Sequence, residues 1–521
     1  MKIIFKEIVR HALCGVIVVF PAIQINCQSA ETADTLRLRA EVLAGGATGN
    51  FNPYLASSYN HGRTPMSGTA LLDVGAFKTM NLERRFGWEA GVEMLTGYSA
   101  KTDYLRYNSE SKSWTYNRQG PAAAWLQQAY GSVKYRGVFL TAGLKEYGSL
   151  LVDNALSSGD LVQSTAARPI AQVRVGFVDF QDIPFTKGWV QIEGCISYGK
   201  MTDNDYLRDH YNYYNYHLAT GLYYTYKRAY FRTNPDKPLT VTVGVQSAGT
   251  FGGKTVWYNN GVEGKTVDNP EDLKAFWNMF IPSLRNGDGY VEGSHLGSWD
   301  FRASYTVGGK HRLSGYFQWL WEDGSSMGKR NKWDGLWGIQ YSRADGGKHL
   351  LQSALAEYID FRDQSGPMHW APGDNVGTDI TTEATGGDDY YNNTSFNGYS
   401  NYGMSLGTPF VVSPLYNRDG FPQYLHSRTR GFQLSATGWL TPELNWTAML
   451  SHAVAWGTGR IHQNEALKNT SMLVRCGYDA SSITPGLEAG LTLAFDAGKL
   501  RGDTFGAMLN VRYTTDLTFG K

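Results

Sequence analysis

The sequence predicts an all-β protein, a transmembrane antiparallel up-and-down β-barrel. Three observations support this fold class. Residues 505–519 (FGAMLNVRYTTDLTF) alternate strictly between apolar and polar side chains, which gives a strand one apolar and one polar face. Similar runs recur along the chain, separated by short breaks rich in Gly, Asp, Asn and Pro. Aromatic residues make up 14% of the chain and charged residues only 18%, a balance typical of a barrel with aromatic girdles.

The last run is long enough to cross a membrane, because a tilted strand needs roughly 9–11 residues to do so. A sheet in lipid cannot leave an open edge, so the last strand has to pair with the first. Residues 35–46 (TLRLRAEVLAGG) supply that partner, with Leu36, Leu38 and Ala40 on one face and charged residues on the other. The charged face should point into the lumen, since Lys or Arg facing lipid at mid-depth costs roughly 2–4 kcal/mol.

The N-terminus has the pattern of a signal peptide, residues 1–27. Basic residues at its start precede a mostly apolar stretch from Ala12 to Ile25, the order of segments that directs export. We expect cleavage after Cys27, with lipidation of Cys27 as the alternative. Cleavage removes three positive charges and one negative charge, so the formal net charge changes from +1 to −1. The mature chain therefore has no basic excess for nucleic acid.

The barrel is predicted to occupy residues 35–519. Between the first and last runs, strand-like runs cover residues 67–80, 84–97, 123–136, 137–145, 188–199, 214–227, 239–246, 298–308, 312–321, 333–343, 350–361, 430–440, 443–455, 470–479 and 486–497. A further run at residues 171–178 (AQVRVGFV) would be the eighteenth strand. Because single-chain barrels favour even numbers, we predict 18 strands, with 16 as the alternative.

Three insertions are too long to be turns: about 146–187, 250–297 and 362–429. Loops of this length are uncommon unless they are functional, so we expect them to lie outside the barrel or to occlude its lumen. The second insertion contains a helix signal, with Asn269 as cap, Pro270 at the first position and acidic residues before Leu273–Phe280. Such a helix could plug or roof the pore, or lie on the surface without a role.

Signals for catalysis are absent from the sequence. There is no HExxH, GxSxG or Walker motif, and the histidines lack metal-ligand spacing. The run Asn286–Gly289 fails as a calcium loop, because Leu284 and His295 stand at ligand positions. We therefore expect no enzyme, no cofactor and no metal. Cys195 and Cys476 are expected to be free thiols rather than a disulfide.

Residues 364–414 combine aromatic rings with Asp and Asn. Aromatic rings pair with the apolar faces of sugars, while carboxylates and amides satisfy sugar hydroxyls. A self-packed loop that fills the barrel explains the same composition equally well. The candidate carbohydrate-binding residues are Trp370, Asp388, Asp389, Tyr390, Tyr391, Asn392 and Asn393.

Three charges also stand out: Lys145 and Glu146 at the end of a strand-like run, and Arg168 in the loop behind it. One interpretation is that they form ion pairs in the lumen that brace the barrel. The other is that they contact an anionic or hydroxyl-rich ligand.

At these residues the chain resembles the capsule assembly Wzi family of outer-membrane proteins. The resemblance extends in family order over about residues 35–519 and depends on several short segments, each weak alone. They are Gly143–Glu146, Leu156–Asp160, Ala167–Ile170, Val173–Gly176, Ile183–Trp189, Phe276–Trp277, Gln364–Pro367, Asp389–Asn393 and Leu406–Phe410.

The resemblance implies an 18-stranded barrel obstructed by extracellular loops, located in the cell outer membrane. It also implies a lectin-like, non-catalytic role in holding capsular polysaccharide. Some family members carry a helical bundle before the barrel, for which this sequence leaves no room. The expected partners are capsular or other surface polysaccharide, outer-membrane lipid and lipopolysaccharide, with a monomeric barrel and no nucleic acid. The rival interpretation is a porin-like channel for saccharides. A surface hydrolase using Asp388 and Asp389 is disfavoured, because adjacent residues of an extended segment point apart.

Overall fold

The wall of the molecule is one antiparallel sheet that closes into a barrel of 18 strands. The structure is a computed structural model and describes residues 34–280, 293–367, 369–370 and 384–519. A short segment, Gln181–Asp182, adds to the sheet by pairing with one barrel strand only. The predicted fold class and strand number are confirmed, whereas the predicted signal peptide and Cys27 lie outside the described residues.

The first nine barrel strands are β1 (Asp34–Phe51), β2 (Met66–Lys78), β3 (Phe86–Ser99), β4 (Ala124–Tyr135), β5 (Val138–Leu144), β6 (Ala171–Phe177), β7 (Val190–Lys200), β8 (Tyr223–Thr233) and β9 (Leu239–Phe251). The second nine are β10 (Ser294–Val307), β11 (His311–Trp321), β12 (Gly335–Arg343), β13 (Ser353–Asp360), β14 (Thr429–Trp439), β15 (Leu444–Gly457), β16 (His462–Asp479), β17 (Leu487–Gly498) and β18 (Thr504–Phe519).

The first and last strands close the barrel, as the alternation predicts. β1 pairs with β18 in an unbroken register that begins with Asp34 opposite Phe519 and ends with Ala47 opposite Gly506. On the lumen side of this pair, Glu41 accepts hydrogen bonds from Asn510 Nδ2 and Arg512 Nε, both at 2.9 Å. The polar face therefore points inward, and no edge is left for another chain to pair with.

The outer face of the barrel is apolar and carries aromatic rings near both ends. Exposed rings at the end that holds the chain termini are Phe86, Tyr135, Trp189, Tyr305 and Tyr478, and those at the opposite end are Tyr98, Trp333, Trp337, Tyr358, Phe495 and Phe505. Valine and leucine side chains lie exposed between them, as at Val243, Leu434 and Leu491. This arrangement matches the apolar band and aromatic girdles of a transmembrane barrel.

The two ends of the barrel differ in the length of their connections. At the turn end, where both termini lie, the connections are residues 79–85, 136–137, 178–189, 234–238, 308–310, 344–352, 440–443 and 480–486. At the loop end they are residues 52–65, 100–123, 145–170, 201–222, 252–293, 322–334, 361–428, 458–461 and 499–503. Long connections therefore crowd one end only, which is the usual asymmetry of outer-membrane barrels.

The loop end also holds the helices of the described chain and several small sheets. The helices are α1 (Tyr54–Ser57), α2 (Asn204–His210), α3 (Leu273–Phe280), α4 (Gly324–Met327) and the 3-10 turn Pro414–Tyr416. The small sheets are the hairpin Thr102–Asn108 with Ser113–Gln119, the three strands His217–Thr220, Lys254–Asn259 and Val262–Asp268, and the pairs His369–Trp370 with Ala384–Thr385 and Ser400–Asn401 with Met404–Ser405.

Two sequence assignments need correction. The insertion predicted at about 146–187 contains β6 and ends at residue 170, because residues 171–178 are the eighteenth strand. The run predicted at residues 214–227 begins too early, since β8 starts at Tyr223 and the tyrosines before it belong to a loop. The loops at 100–123 and 201–222 were not predicted, and the tyrosine-rich end of the second was assigned to a barrel strand.

Helix α3 forms where the cap signals place it, but it lies against the outside of the wall. Phe276 packs against Tyr198, Tyr223 and Phe251, which alternate with the lumen-facing residues of β7, β8 and β9. Lys227, on the same outer face, donates to the carbonyl of Met279 at the end of the helix (2.7 Å). The helix therefore covers a polar part of the outer wall and does not plug the pore.

Neither remaining cysteine forms a disulfide. Cys195 is buried and Cys476 half-buried, and both are free thiols. No helix in the described part of the chain is long and apolar enough to cross a bilayer.

Candidate functional site

The lumen is filled by the connection of residues 145–170, which we call the plug. The Ser157 hydroxyl and the Ser158 amide both donate to Glu357 of β13 at 2.6 Å. Three strands away in the wall, Arg302 of β10 donates to the Leu151 carbonyl (2.6 Å). Polar wall residues thus satisfy the backbone of the plug from several directions, as buried backbone groups require.

Asp160 is the centre of this packing. Its carboxylate accepts hydrogen bonds from the side-chain amides of Gln246 and Gln318, both at 2.9 Å, and the two amides also donate to Asp300. Gly159, beside it, has φ of +107°, and a Cβ there would lie 2.6 Å from Pro409. Packing inside the barrel therefore explains the residue types of the segment Leu156–Asp160.

A second layer closes the barrel above the plug. We call residues 384–428 the lid. The lid donates three hydrogen bonds to carbonyl oxygens of the plug: from Thr408 to Ser158 (2.7 Å), from Tyr391 to Leu161 (2.8 Å) and from Tyr399 to Val162 (2.9 Å). Plug and lid therefore pack as one body that occludes the lumen, as the fold prediction states.

The two tyrosines predicted to bind sugar are inside this body. Tyr390 is 0% exposed and Tyr391 is 2% exposed. Tyr390 donates to Asp334 (3.1 Å) and packs edge-on against Phe361, whereas Tyr391 packs against Tyr424 with ring centroids 5.3 Å apart. Both rings fill the core of the lid, so the expectation that they present faces to a sugar is corrected in this conformation.

The neighbouring polar candidates serve the same packing. Asp388 is buried and accepts from Ser365 (2.6 Å), and Asp389 accepts from Ser427 (2.7 Å). The side chain of Asn392 donates to the carbonyl and accepts from the amide of Tyr424, and Asn393 accepts from the amide of Ser395. Asn393 caps a turn and the other three hold distant segments together, which is the self-packed alternative that their composition left open. Trp370 lies in a two-residue strand, and its side chain is outside the described part of the chain.

A carboxyl group that contacts the lid, Asp334 in the connection 322–334, should make the stability of the lid depend on pH. Burial raises the pKa of Asp334 to about 7, although the group accepts hydrogen bonds from the Gln364 amide (2.8 Å) and Tyr390. A raised pKa means that the folded lid binds this proton more tightly, so stability falls as pH rises from about 4 to about 7. We expect proteolysis of the lid to accelerate between pH 5 and pH 8, and Asp334→Asn to weaken this trend, since burial raises the pKa of Asp388 and Asp389 as well. The same pH profile in both proteins would contradict the assignment.

Lys145 and Glu146 brace the plug against the wall. Lys145 forms an ion pair with Glu89 and lies 4.8 Å from the centroid of the Tyr130 ring. Glu146 accepts from Arg63 Nη1 (2.7 Å) and Gln127 Nε2 (2.8 Å). Both residues thus occupy the bracing role that was one of the two interpretations of the sequence.

Glu146 lies at the edge of a larger buried charge cluster. Glu93 of β3 is 0% exposed and accepts from Arg39, Arg63 and Gln128, each at 2.5 Å. Asp73 of β2 lies 3.3 Å from Arg39 and 3.4 Å from Arg63. Since Arg63 belongs to the loop at 52–65, the cluster ties that loop to the wall.

Arg168, the third predicted charge, is placed differently. It lines an open cleft of about 780 Å³ at the loop end, between the ends of β3 and β4, helix α2 and the lid. The lining residues include Tyr98, Lys101, Arg118, Trp125, Arg168, Thr202, Asp205, Tyr206, Asp209, His210, Tyr402 and Met404. We call this space the loop-end cleft. Arg168 is the plug residue in its lining.

Aromatic rings surround Arg168 in the loop-end cleft. The guanidinium carbon lies 4.2 Å from the centroid of the Trp125 ring and 4.7 Å from that of Tyr402. The Trp125 ring is held by a hydrogen bond from Nε1 to Gln127 (2.9 Å), and Tyr206 stacks on His210 at 3.9 Å. Burial lowers the pKa of Arg168 to about 10, so the group stays charged at neutral pH.

Of the residues lining this cleft, the sequence analysis singled out Arg168, and Tyr402 lies in the aromatic stretch 364–414. Trp125 begins a barrel strand and Tyr206 lies on a short helix, and neither position carries a motif. The lining residues come from 100–125, 168 and 201–210, which lie far apart along the chain. Only the folded topology brings them together. In the described residues no group of His, Cys, Asp and Glu could hold a metal ion.

Comparison with known proteins agrees on the fold. Wzi of Escherichia coli, an outer-membrane protein involved in group 1 capsule assembly and described as a carbohydrate-binding β-barrel, is 14% identical with a TM-score of 0.53. That alignment covers 91% of this chain and 83% of Wzi. OccAB2 of Acinetobacter baumannii is 10% identical with a TM-score of 0.47, covering 93% and 98% of the two chains. OprD of Pseudomonas aeruginosa is 10% identical with a TM-score of 0.42, covering 94% and 96%.

The similarity to Wzi shows the fold of an outer-membrane-type barrel and nothing finer. No protein-family model and no curated protein sequence matches the chain.

Proposed function

We propose that this protein is an outer-membrane barrel that binds or organises capsular or other surface polysaccharide, without catalysis. The observation that carries the proposal is the loop-end cleft of about 780 Å³, with Trp125, Tyr206, Tyr402 and Arg168 in its lining. It replaces the buried lid residues as the place where a glycan binds.

The lining of the cleft has the chemistry that sugars need. Aromatic faces pack against the C–H faces of a sugar ring, and polar groups around them supply donors and acceptors for hydroxyls. In the cleft, Thr202, Asp209 and Lys101 accompany the aromatic rings. Glu357 and Asp160, by contrast, are buried in bonds to the plug or the wall and have no access to a glycan.

The position of the cleft supports a role at the cell surface. In barrels of this type the short turns face the periplasm and the long loops face outward. The cleft lies among the long loops, so the proposal places it on the exterior of a cell, in contact with polysaccharide and beside the lipopolysaccharide leaflet. We also propose that the N-terminal signal peptide directs export and that the barrel is a monomer. The proposal extends to this chain the carbohydrate binding described for Wzi, which has the same fold.

The channel interpretation is the second candidate, since porins share this architecture. It is disfavoured by the plug, because Ser157, Ser158 and Asp160 are bonded inside the lumen to the wall strands β9 and β13. Under our proposal the barrel holds the binding loops in place and does not conduct solutes.

Glycan binding by the purified barrel tests the proposal. On an array of bacterial polysaccharides, we expect the wild-type barrel to bind, and Trp125→Ala to bind about tenfold more weakly, since losing a stacking ring costs about 1–1.5 kcal/mol. Trp189→Ala, which removes an exposed ring at the turn end, should leave affinity unchanged. Wild-type affinity in Trp125→Ala would refute this site, and a barrel that binds no polysaccharide would refute the function.

A further inference from the structure

Arg168 differs from the other arginines that face the lumen in its hydrogen bonding. Its guanidinium makes no hydrogen bond and no ion pair with any of the residues that the structure describes, although its carbon lies within 5 Å of two ring centroids. Other arginines at the lumen differ in this respect: Arg63 pairs with Glu93 and Glu146, and Arg302 donates to Leu151 and Gln340. Stacking uses the face of a guanidinium and leaves its N–H groups unsatisfied.

The charges around Arg168 favour a negative ligand. Lys101 and Arg118 are exposed cations in the same cleft. Of the two acidic residues there, Asp205 forms an ion pair with Arg208 (2.7 Å) and Asp209 is exposed. His210 adds no charge at neutral pH, because burial lowers its pKa to about 4.

The arrangement also fixes where a negative group would sit on a sugar. A sugar ring that packs on Trp125 lies beside the Arg168 guanidinium, because the guanidinium stacks on the same indole. An oxyanion attached to that ring could then accept two parallel N–H bonds from Arg168, the geometry in which arginine binds carboxylates and phosphates best. A neutral sugar offers only hydroxyl and ring oxygens, which accept from the guanidinium without the charge that makes a bond to an oxyanion roughly twice as strong.

We propose that the loop-end cleft selects acidic glycans, and that Arg168 binds an oxyanion carried by the sugar that stacks on Trp125. This inference rests on the proposed function and adds the charge class of the ligand to it. The shared chemistry is an oxyanion on a sugar ring, whether a carboxylate or a sulfate.

Matched pairs of glycans separate charge from shape. The intact, detergent-solubilised barrel is titrated with acidic bacterial polysaccharides, each beside its carboxyl-reduced derivative, and with dextran sulfate beside dextran. We expect the wild type to bind the charged member of at least one pair tenfold or more tighter, as a charge-assisted bond of about 1.5–3 kcal/mol requires. Preference within the carboxyl pairs alone identifies a carboxylate, and preference within the dextran pair identifies a sulfate.

Variants then assign the preference to Arg168. Arg168→Gln should reduce the affinity ratio between charged and neutral members toward one, with the remainder of the preference supplied by Lys101 and Arg118. Arg168→Lys keeps the positive charge but lacks the two parallel N–H donors of the guanidinium, so it should give an intermediate affinity ratio. Arg136→Gln, at the exposed turn end, serves as the matched control and should keep the wild-type ratio. Unfolding temperatures of all variants verify that they fold.

Each outcome decides between the two proposals. Equal binding of charged and neutral members by the wild type overturns the inference and leaves the proposed function standing. A wild-type ratio in Arg168→Gln overturns the role of Arg168. A barrel that binds no member of any pair overturns both the inference and the function beneath it.

Discussion

A barrel whose plug is replaced by a two-residue turn should conduct ions steadily in a planar bilayer, whereas the full-length barrel should stay closed. Replacement is feasible because Leu144 of β5 and Ala171 of β6 face each other directly in the register, so an Asn-Gly turn can join the two strands. Removing residues 145–170 takes away the groups bonded to Glu357, Gln246 and Gln318. We expect the lumen to fill with water, because its wall is polar.

Single-channel recording of both proteins measures this effect directly. A matched control replaces the exposed turn-end residues 480–486 by a turn of the same kind, which should leave the barrel closed. Steady large openings in the full-length barrel would favour the porin interpretation and refute occlusion. A folded plug-deleted barrel without conductance would show that the lid alone seals the lumen.

Glu93→Ala should lower the free energy of unfolding by about 3 kcal/mol or more. Glu93 is the acceptor for Arg39, Arg63 and Gln128 inside the barrel, and removing one member of a buried ion pair leaves the remaining charge without compensation, at a cost of about 3–5 kcal/mol. Asp73 stays near both arginines, which places the expected loss toward the lower end of that range. Urea unfolding of the refolded barrel gives the value.

The control for this substitution is Glu488→Ala. Glu488 is exposed and lies 3.7 Å from Arg512, and an exposed pair of this kind contributes at most about 1 kcal/mol. Similar losses in the two variants would mean that the cluster around Glu93 is screened by water and does not hold the loop at 52–65 in place.

The wall of the barrel could be predicted because lipid enforces a simple pattern. Residues 35–46 and 505–519 alternate so regularly that their pairing followed from the need to remove open edges, and the register of β1 with β18 agrees. The alternation did not predict the start of β8, because the loop before Tyr223 is rich in tyrosine. A short aromatic loop and a strand end have the same composition, so the boundary depends on pairing partners that sequence alone does not reveal.

The site was harder to predict than the wall, for a physical reason. Tyr390 and Tyr391 have the composition of a sugar site, but a ring that packs a core and a ring that faces a ligand are the same residue type. Only tertiary packing distinguishes them, and here the lid buries both. Arg168 was found through its motif, whereas Trp125 became visible only when the fold placed its indole beside that guanidinium.

The pairing of the first strand with the last also sets the order of assembly. Arg37 and Asp516, which join β1 to β18, are separated by 479 positions in the chain, so the tube has a seam that cannot close until the whole chain has arrived. Glu357 lies 200 positions after Ser157. The plug therefore cannot form this hydrogen bond until β13 has joined the sheet, which is not yet closed at that stage. Contacts between such distant positions form slowly. We therefore expect the sheet to form around the plug, and the pairing of β1 with β18 to be the last step of folding.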